Sequence, residues 1–336
     1  MSALLTITIP TFNRAEHLDV LLGSLFAQIG AFKDEIRIVV IDNHSTDDTA
    51  LRCKAWKQKG TPFEYICNAE NIGMARNIIK CFDLVDTEYS WTIGDDDVLR
   101  DGMLACVMKI LKRDRPDILH FGAQPFESAR PASRLSTEMV TPRIMGSHAF
   151  ARLVHVYITF ISCLILRKAT RAATNKTVPL DRYSRCVIPQ LSWTLEIMSE
   201  GQRFAYVPQR LILARDSGTA GYKVCETFST EIVEILDACA CAKLAAVFKM
   251  RIVTKYLPAA ILKLRESGLG AIVFSDFDAY CLNSAYSRFF GYWLFVVPVL
   301  RWPMWLARIP YLVSQLTAKC IGVLDRVDIY VFRSHR

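Results

Sequence analysis

Between residues 4 and 121 the chain repeats one pattern: a short β-rich run, a polar loop, then apolar residues at helical spacing. Residues 4–9 end at Pro10-Thr11-Phe12-Asn13, after which Leu18, Leu21, Leu22, Leu25, Phe26 and Ile29 recur as on one helix face. Asn13 with Glu16 reads as a helix cap with a reciprocal acid. Residues 36–41 are a second apolar run, broken by Asp42-Asn43-His44-Ser45-Thr46-Asp47-Asp48, where Ser45 and Asp48 read as the start of a helix reaching Lys59. Residues 63–67, 89–93 and 118–121 give further strands, with helices opening near Gly73 and over 103–111. Such alternation implies an α/β chain built on a mainly parallel sheet with helices on both faces. In these sheets the ligand crevice lies beyond the carboxyl ends of the strands.

That rule gathers separate polar features on one edge: Pro10, Thr11 and Asn13, then Asp42, then the acids of Trp91-Thr92-Ile93-Gly94-Asp95-Asp96-Asp97-Val98-Leu99. Three adjacent carboxylates repel one another, so a fold keeps them in full solvent or around a cation. Magnesium and manganese take one or two carboxylates plus substrate phosphates, so a metal-bridged diphosphate is one reading. A solvated turn capping the helix that begins near Asp101 is the other. Arg76, at the start of the helix after Asn71-Ile72-Gly73, is within reach of a diphosphate on this edge or is a plain surface charge. His44 shares the loop but has no partner at metal-ligand spacing and reads as a loop histidine.

Composition narrows the classes. The net charge of +8 is spread without a long basic run, which disfavours nucleic acid. Eleven cysteines without a Cys-x-x-Cys pair argue against a disulfide framework or a zinc site, and Cys239 and Cys241 read as helical packing residues. The 52% hydrophobic content is high and favours a membrane contact. Met1 leads directly into a strand-like run, so no signal peptide is expected.

Four segments carry a family resemblance: residues 9–14 (Ile-Pro-Thr-Phe-Asn-Arg), 40–47 (Val-Ile-Asp-Asn-His-Ser-Thr-Asp), 71–77 (Asn-Ile-Gly-Met-Ala-Arg-Asn) and 94–97 (Gly-Asp-Asp-Asp). In order and spacing the chain resembles family 2 glycosyltransferases of the GT-A fold, closely over the first third and loosely over the next quarter. The resemblance implies an inverting transfer of a sugar from a nucleoside diphosphate donor with the help of Mg2+ or Mn2+. It implies donor contacts at Pro10, Thr11, Asn13, Asp42, Asn71, Arg76, Asp95 and Asp96, and metal ligation by Asp97 and Asp95. Gly94 stands where the family commonly has an aspartate, which shifts weight to Asp97. The form Trp-x-x-Gly-Asp-Asp-Asp looks like the branch that builds bacterial O-antigen repeats, including abequosyltransferases.

Residues 1–122 are then expected to hold the nucleotide sugar, 123–222 the acceptor, and 223–336 to form a helical region at the membrane interface. Residues 124–143 read as a polar crossover and 160–166 as a buried strand. The family usually supplies the catalytic base from a Glu-Asp pair, where this chain has Ile188-Pro189-Gln190. An amide accepts no proton at neutral pH, so Gln190 is expected to position the acceptor only. Asp181 and Glu196 are the nearest carboxylates and hence candidate bases, with a surface role open for both. Residues 215–222 are glycine-punctuated as a flap would be, and related enzymes make Arg215 a candidate diphosphate contact.

Residues 225–239 and 252–264 read as helices. Residues 289–313 are apolar and aromatic but carry Arg301, Arg308, Pro298, Pro303 and Pro310, so a spanning helix is disfavoured. An interfacial segment is expected, with Trp293, Trp302, Trp305 and Tyr311 at headgroup depth; a buried hairpin is the alternative. Together these features predict a peripheral (monotopic) enzyme on the cytoplasmic face of the bacterial inner membrane. Its expected partners are a UDP-, CDP- or dTDP-sugar and a saccharide on a polyprenyl diphosphate. A receiver module phosphorylated at Asp42 fits less well, since the Asp95–Asp97 acids stand on a later strand than its pocket would use. A non-catalytic sugar-nucleotide-binding protein stays open because the Glu-Asp pair is missing.

Overall fold

The computed structural model describes residues 3–126, 140–172, 179–215, 224–266 and 276–321. Strand β1 (Leu5–Thr11) sits inside the sheet. Leu5, Ile7 and Ile9 alternate with Thr6 and Thr8, and all five are buried, so both faces of the strand are covered. Strands β2 (Ile36–Asp42), β3 (Glu64–Cys67) and β4 (Tyr89–Thr92) complete a parallel half-sheet in the order β3-β2-β1-β4. The helices α1 (Ala15–Ile29), α2 (Thr49–Gln58) and α3 (Met74–Asp83) follow the first three strands. Leu18, Leu21, Leu22 and Leu25 of α1 bury against Ile7 and Ile9, as their spacing predicts. On the other face Cys81 of α3 packs with Val39 and Ile41 of β2.

The second half mixes directions. β5 (Val98–Leu99), α4 (Met103–Asp114) and β6 (Ile118–Phe126) follow β4. β7 (Arg143–Met145) and α5 (Ser147–Val154) come next, then β8 (Leu164–Arg167), α6 (Lys168–Ala172), α7 (Gln190–Glu200) and β9 (Phe204–Arg215). β8 runs antiparallel between β4 and β6, while β9 pairs parallel with β6. The two-residue β5 binds the end of β9 antiparallel, Val98 opposite Leu213, which carries the acidic segment to Arg215. The strand expected over 160–166 begins only at Leu164. Ile161–Cys163 is instead a tight 3-10 turn, and that turn brings Ser162 to the acids. Part of the expected crossover, and all of the expected flap except Arg215, lie outside the described residues.

The remaining helices are α8 (Val224–Glu226), α9 (Ile232–Asp237), α10 (Ala242–Arg251), α11 (Leu257–Glu266), α12 (Asp276–Tyr286), α13 (Val297–Arg301) and α14 (Met304–Ile321). Phe228, Ile232, Ile235 and Leu236 share one buried cluster with Phe150, Trp193 and Phe204, so these helices complete the core of the second half. Cys239 and Cys241 lie in the turn after α9, not within a helix. Cys53, Cys67, Cys81, Cys106, Cys186, Cys239, Cys241 and Cys281 are free thiols.

Residues 289–313 are neither wholly buried nor wholly exposed. Tyr292, Phe295, Val296, Val299 and Ala307 are in the core, while Phe290, Trp293, Trp302 and Trp305 face outward. Tyr311 packs against the core and so leaves the aromatic set expected at the surface. Among the described residues no helix is long and apolar enough to cross a membrane.

Candidate active site

The β1 and β2 loops are clipped together where the two strands end. Asn13 takes a left-handed backbone (φ 52°), which short polar side chains tolerate. Its N–H donates to Ser45 Oγ at 2.8 Å and its Oδ1 accepts the Thr46 N–H at 2.8 Å. Asn13 is therefore a loop clip and does not cap α1. That task falls to Asp47, whose Oδ2 accepts the Ala15 N–H at 3.0 Å while its Oδ1 accepts the Thr49 N–H at 3.0 Å. One carboxylate thus serves the first turns of both α1 and α2. Burial opposes its charge, but the hydrogen bonds from Thr49 and Ala15 hold it below the ordinary carboxylate range.

Asp42, buried at the end of β2, is similarly engaged. Its Oδ1 accepts the Ser45 N–H at 2.9 Å and the Ser45 hydroxyl at 2.6 Å, and its Oδ2 accepts the Tyr65 hydroxyl at 2.5 Å. Ser45 therefore orients Asp42 and is not a helix cap. His44, at φ 68°, sets its Nδ1 3.1 Å from the Asn68 carbonyl and so shapes the same loop.

Asn71 lies in an asparagine network. Asn43 donates to Asn71 Oδ1 at 2.7 Å, and Asn68 donates to both Asn43 Oδ1 (3.0 Å) and Asn77 Oδ1 (2.9 Å). Asn77 in turn donates to the Ile41 carbonyl at 3.1 Å. Asn71 also accepts the Gly73 N–H at 2.9 Å, beside the positive φ of 85° that Gly73 supplies. The network fixes the entry to α3 against the β2 and β3 ends, leaving Arg76 exposed on the first turn of α3 at the sheet's carboxyl edge.

The acidic segment is built around Ser162. The Trp91 indole N–H donates to the Ser162 carbonyl at 2.9 Å, and the Gly94 N–H donates to Ser162 Oγ at 2.8 Å. The Ser162 hydroxyl and the Arg215 N–H both donate to the Asp97 carboxylate. Asp97 is buried, and its carboxyl is pushed up to about 8, by burial first and then by the charge of Asp96. Asp95 is pushed up to about 6, chiefly by burial, against the opposing pull of Arg14. Arg14 Nη1 donates to Asp95 at 3.1 Å and to Asp96 at 2.6 Å. His17, one turn on in α1, lies in the field of Arg215, Asp96 and Arg14. Burial, then Arg215, lowers its pKa.

Gly94 now has a physical explanation. A Cβ there would stand 3.2 Å from an Asp96 oxygen, 3.2 Å from an Asp97 oxygen and 3.4 Å from Ser162 Oγ. A side chain at that position would press on Asp96, Asp97 and Ser162, which would have to give by a few tenths of an ångström.

The donor set suits a divalent cation that also holds phosphate. Among the described residues no group of three or more His, Cys, Asp or Glu side chains forms a metal cage. Magnesium and manganese bind through one or two carboxylates and substrate oxygens, and Asp97 and Asp95 are the carboxylates that could serve. Burial raises Asp97 first, and the charge of Asp96 adds to it; a divalent cation would offset both effects.

The candidates from the second half are held by separate contacts. Gln190 is buried, its Nε2 donating to the Thr159 carbonyl at 2.8 Å, and its Oε1 has no partner among the described residues. Glu196, roughly 9 Å further along α7, receives Arg171 Nε at 2.7 Å. Arg171 is on α6, which starts where β8 pairs with the beginning of β4, at the edge of the sheet away from the acids. Asp181 is exposed in the turn Leu180–Tyr183 packed against α3. The residues that sequence reasoning missed are Arg14, His17, Tyr65 and Ser162. Only Arg14 carried a signal, since it directly follows Asn13 in the first loop.

Residues 6–171 match the profile of glycosyl transferase family 2. This segment is a family 2 glycosyltransferase domain. Over 109 residues the chain is 36% identical to the abequosyltransferase RfbV of Salmonella typhimurium, a match covering 32% of this chain and 32% of that protein. The chain therefore aligns with about a third of that relative's length. The fold of the glycosyltransferase domain and its helical extension is similar to that of S. aureus TarS 1-349 in complex with UDP. The TM-score is 0.61 with 16% identity, covering 97% of this chain and 95% of that chain. The mannosyltransferase PcManGT from Pyrobaculum calidifontis, in complex with GDP-Man and Mn2+, gives a TM-score of 0.54 with 14% identity, covering 94% and 88%. At these identities the two structures speak to the fold, which is GT-A-like.

Proposed function

We propose that this protein transfers a sugar from a nucleoside diphosphate donor to a saccharide carried on a polyprenyl diphosphate, inverting the anomeric centre, in the synthesis of a bacterial O-antigen or related surface polysaccharide. The observation that carries the reading is Asp97: a buried carboxyl between β4 and β5, held by Ser162 and the Arg215 N–H, beside two acids and an arginine. The family match and the abequosyltransferase relative support it, and the UDP and GDP-Man complexes of the structural neighbours support a nucleotide-sugar donor.

In this reading the loops of Pro10, Thr11, Asn13 and Asp42 receive the nucleoside, with Asp42 prepositioned by Ser45 and Tyr65. Arg76 and Arg215 face the diphosphate, and Asp96 the donor sugar. Asp97 and Asp95 would hold Mg2+ or Mn2+, Asp95 exchanging its bond to Arg14; the bound ion supplies charge neutralisation of the departing diphosphate. Gln190 Oε1 offers an acceptor for a sugar hydroxyl. Glu196, engaged by Arg171, serves as an ion-pair partner. The protein is placed peripherally on the cytoplasmic face of the inner membrane, where the lipid-linked acceptor resides.

The test is a donor titration in the presence of manganese. Asp97→Ala should abolish metal-dependent donor binding, and an unchanged affinity would sink the assignment. A thermal-shift panel of UDP-, CDP-, GDP- and dTDP-sugars would name the nucleotide. Gln190 in place of a carboxylate favours a second reading, a protein that binds the sugar nucleotide without transferring it. Metal-dependent hydrolysis of the donor by the purified protein separates the two.

A further inference from the structure

The outer face of α14 is an apolar stripe left exposed among the described residues. Trp305, Ile309, Leu312 and Leu316 recur at i, i+4, i+7 and i+11, and each is more than half exposed, at 73%, 55%, 58% and 61%. The helix is not loosely attached. Ala307, Pro310, Ser314 and Ala318 on the opposite face are buried, Arg251 donates to the Ala318 carbonyl at 3.1 Å, and Gln315 donates to the Lys255 carbonyl at 3.1 Å. A helix pinned on one face and apolar on the other has a partner to meet.

The charges around the stripe indicate which partner. From residue 288 to 319 there is no aspartate or glutamate, while Arg288, Arg301, Arg308 and Lys319 are all exposed; Arg308 also meets Glu266 of α11 at 3.1 Å in a solvated ion pair, which contributes little and leaves the arginine accessible. At about 100° per residue, Arg308 and Lys319 fall along one margin of the stripe. A two-fold pairing of this face with itself would set like charges against each other. An anionic bilayer would neutralise them and accept the tryptophans at headgroup depth. With Arg308 and Pro310 near its middle, the helix is suited to lie in the interface rather than cross it.

We infer that the outer face of α14 is the membrane-docking surface of this protein and that it seats on anionic phospholipid, with Trp305, Ile309, Leu312 and Leu316 in the acyl boundary and Arg308 and Lys319 at the phosphates. This deepens the peripheral placement proposed above and rests on it. It narrows the contact from residues 289–313 at large to one helix face, and it extends that contact to Leu316 and Lys319.

The experiment is co-sedimentation of the full chain with phosphatidylcholine vesicles containing or lacking phosphatidylglycerol. Binding should be at least about tenfold tighter with phosphatidylglycerol and weaken with salt. The pair Leu312→Ser and Leu316→Ser should weaken it by at least about tenfold. The pair Arg308→Gln and Lys319→Gln should erase most of the preference for anionic vesicles. Both pairs lie on the surface, so an unchanged Tm checks the fold. The inference is overturned by protein that stays in the supernatant, by binding indifferent to phosphatidylglycerol, or by serine variants that bind like the parent. It is also overturned by a wild-type dimer in ultracentrifugation that the serine pair dissociates, which would assign the stripe to a second copy. Nucleotide-sugar binding measured in parallel keeps the two readings apart. Vesicle binding lost with donor binding intact removes the docking face alone, and the reverse removes the transferase reading alone.

Discussion

Ser162 Oγ accepts the Gly94 N–H at 2.8 Å and donates in turn to the Asp97 carboxylate, so one hydroxyl from a turn 68 residues away in sequence sets the geometry of the acidic segment. A side chain at Gly94 would intrude on that arrangement. Gly94→Asp, which restores the commoner family residue, should therefore impair the site: a loss of about 1–3 kcal/mol of stability and of metal-dependent donor binding. Chemical denaturation and a donor titration check it. A variant as stable and as competent as the parent would show that the turn yields.

Arg14 neutralises the acids that a metal needs. Its ion pairs are partly solvated and contribute little to stability, so Arg14→Ala should leave Tm nearly unchanged. Removing this cation should raise Mn2+ affinity in the absence of donor by about tenfold. Electron paramagnetic resonance titration of free Mn2+ reads this directly, and equal or weaker binding would contradict it.

Two buried imidazoles predict acid lability. Burial lowers His120 to about 3, and His155 is also driven well below its ordinary value by burial and then by Lys255 and Arg251. Both stay neutral when folded, whereas the unfolded chain takes up their protons near pH 6.5. Their contribution is complete above pH 6.5 and is lost as pH falls, at about 1.4 kcal/mol per pH unit per site, until the folded group itself titrates. Stability measured between pH 7 and 4 should fall less steeply in His120→Leu than in the parent. Parallel curves would refute the assignment.

Asn68 is the hub of the asparagine network. Besides its bonds to Asn43 and Asn77, its Oδ1 accepts Lys80 Nζ at 2.7 Å. Asn68→Ala leaves buried polar atoms without partners and should cost about 2–3 kcal/mol, seen in the urea midpoint. Asn68→Asp, which keeps acceptors but removes the donors, should be nearly as damaging. An unchanged midpoint in both would show the network to be dispensable.

The parallel half of the fold could be read from sequence because its strands alternate with helices of clear period. Leu18, Leu21, Leu22 and Leu25 bury as their spacing predicts, and β1 and β2 end within two residues of the expected positions. The antiparallel placement of β8 could not be read, because strand direction depends on a partner and not on local composition. The two-residue β5 is too short for any period to reveal. Asp42 and the Asp95–Asp97 segment were legible because several polar loops converge on one sheet edge. Ser162 and Tyr65 were not, since each acts through a tertiary contact that leaves no mark in its own neighbourhood. Asn13 and Ser45 carried helix-cap patterns that nearby loop partners outbid, while Asp47 took the capping task. Glu196 read as a candidate base only because the sequence does not show that Arg171 folds onto it.

The carboxylate of Asp47 touches the start of α1 and the start of α2 together. The first two loops of the crevice are therefore inherited as one unit. Anyone seeking to retarget this protein to another nucleotide by grafting the β2 loop of a relative would have to transplant the β1 loop with it, because half of the foreign loop's support stands on the other strand.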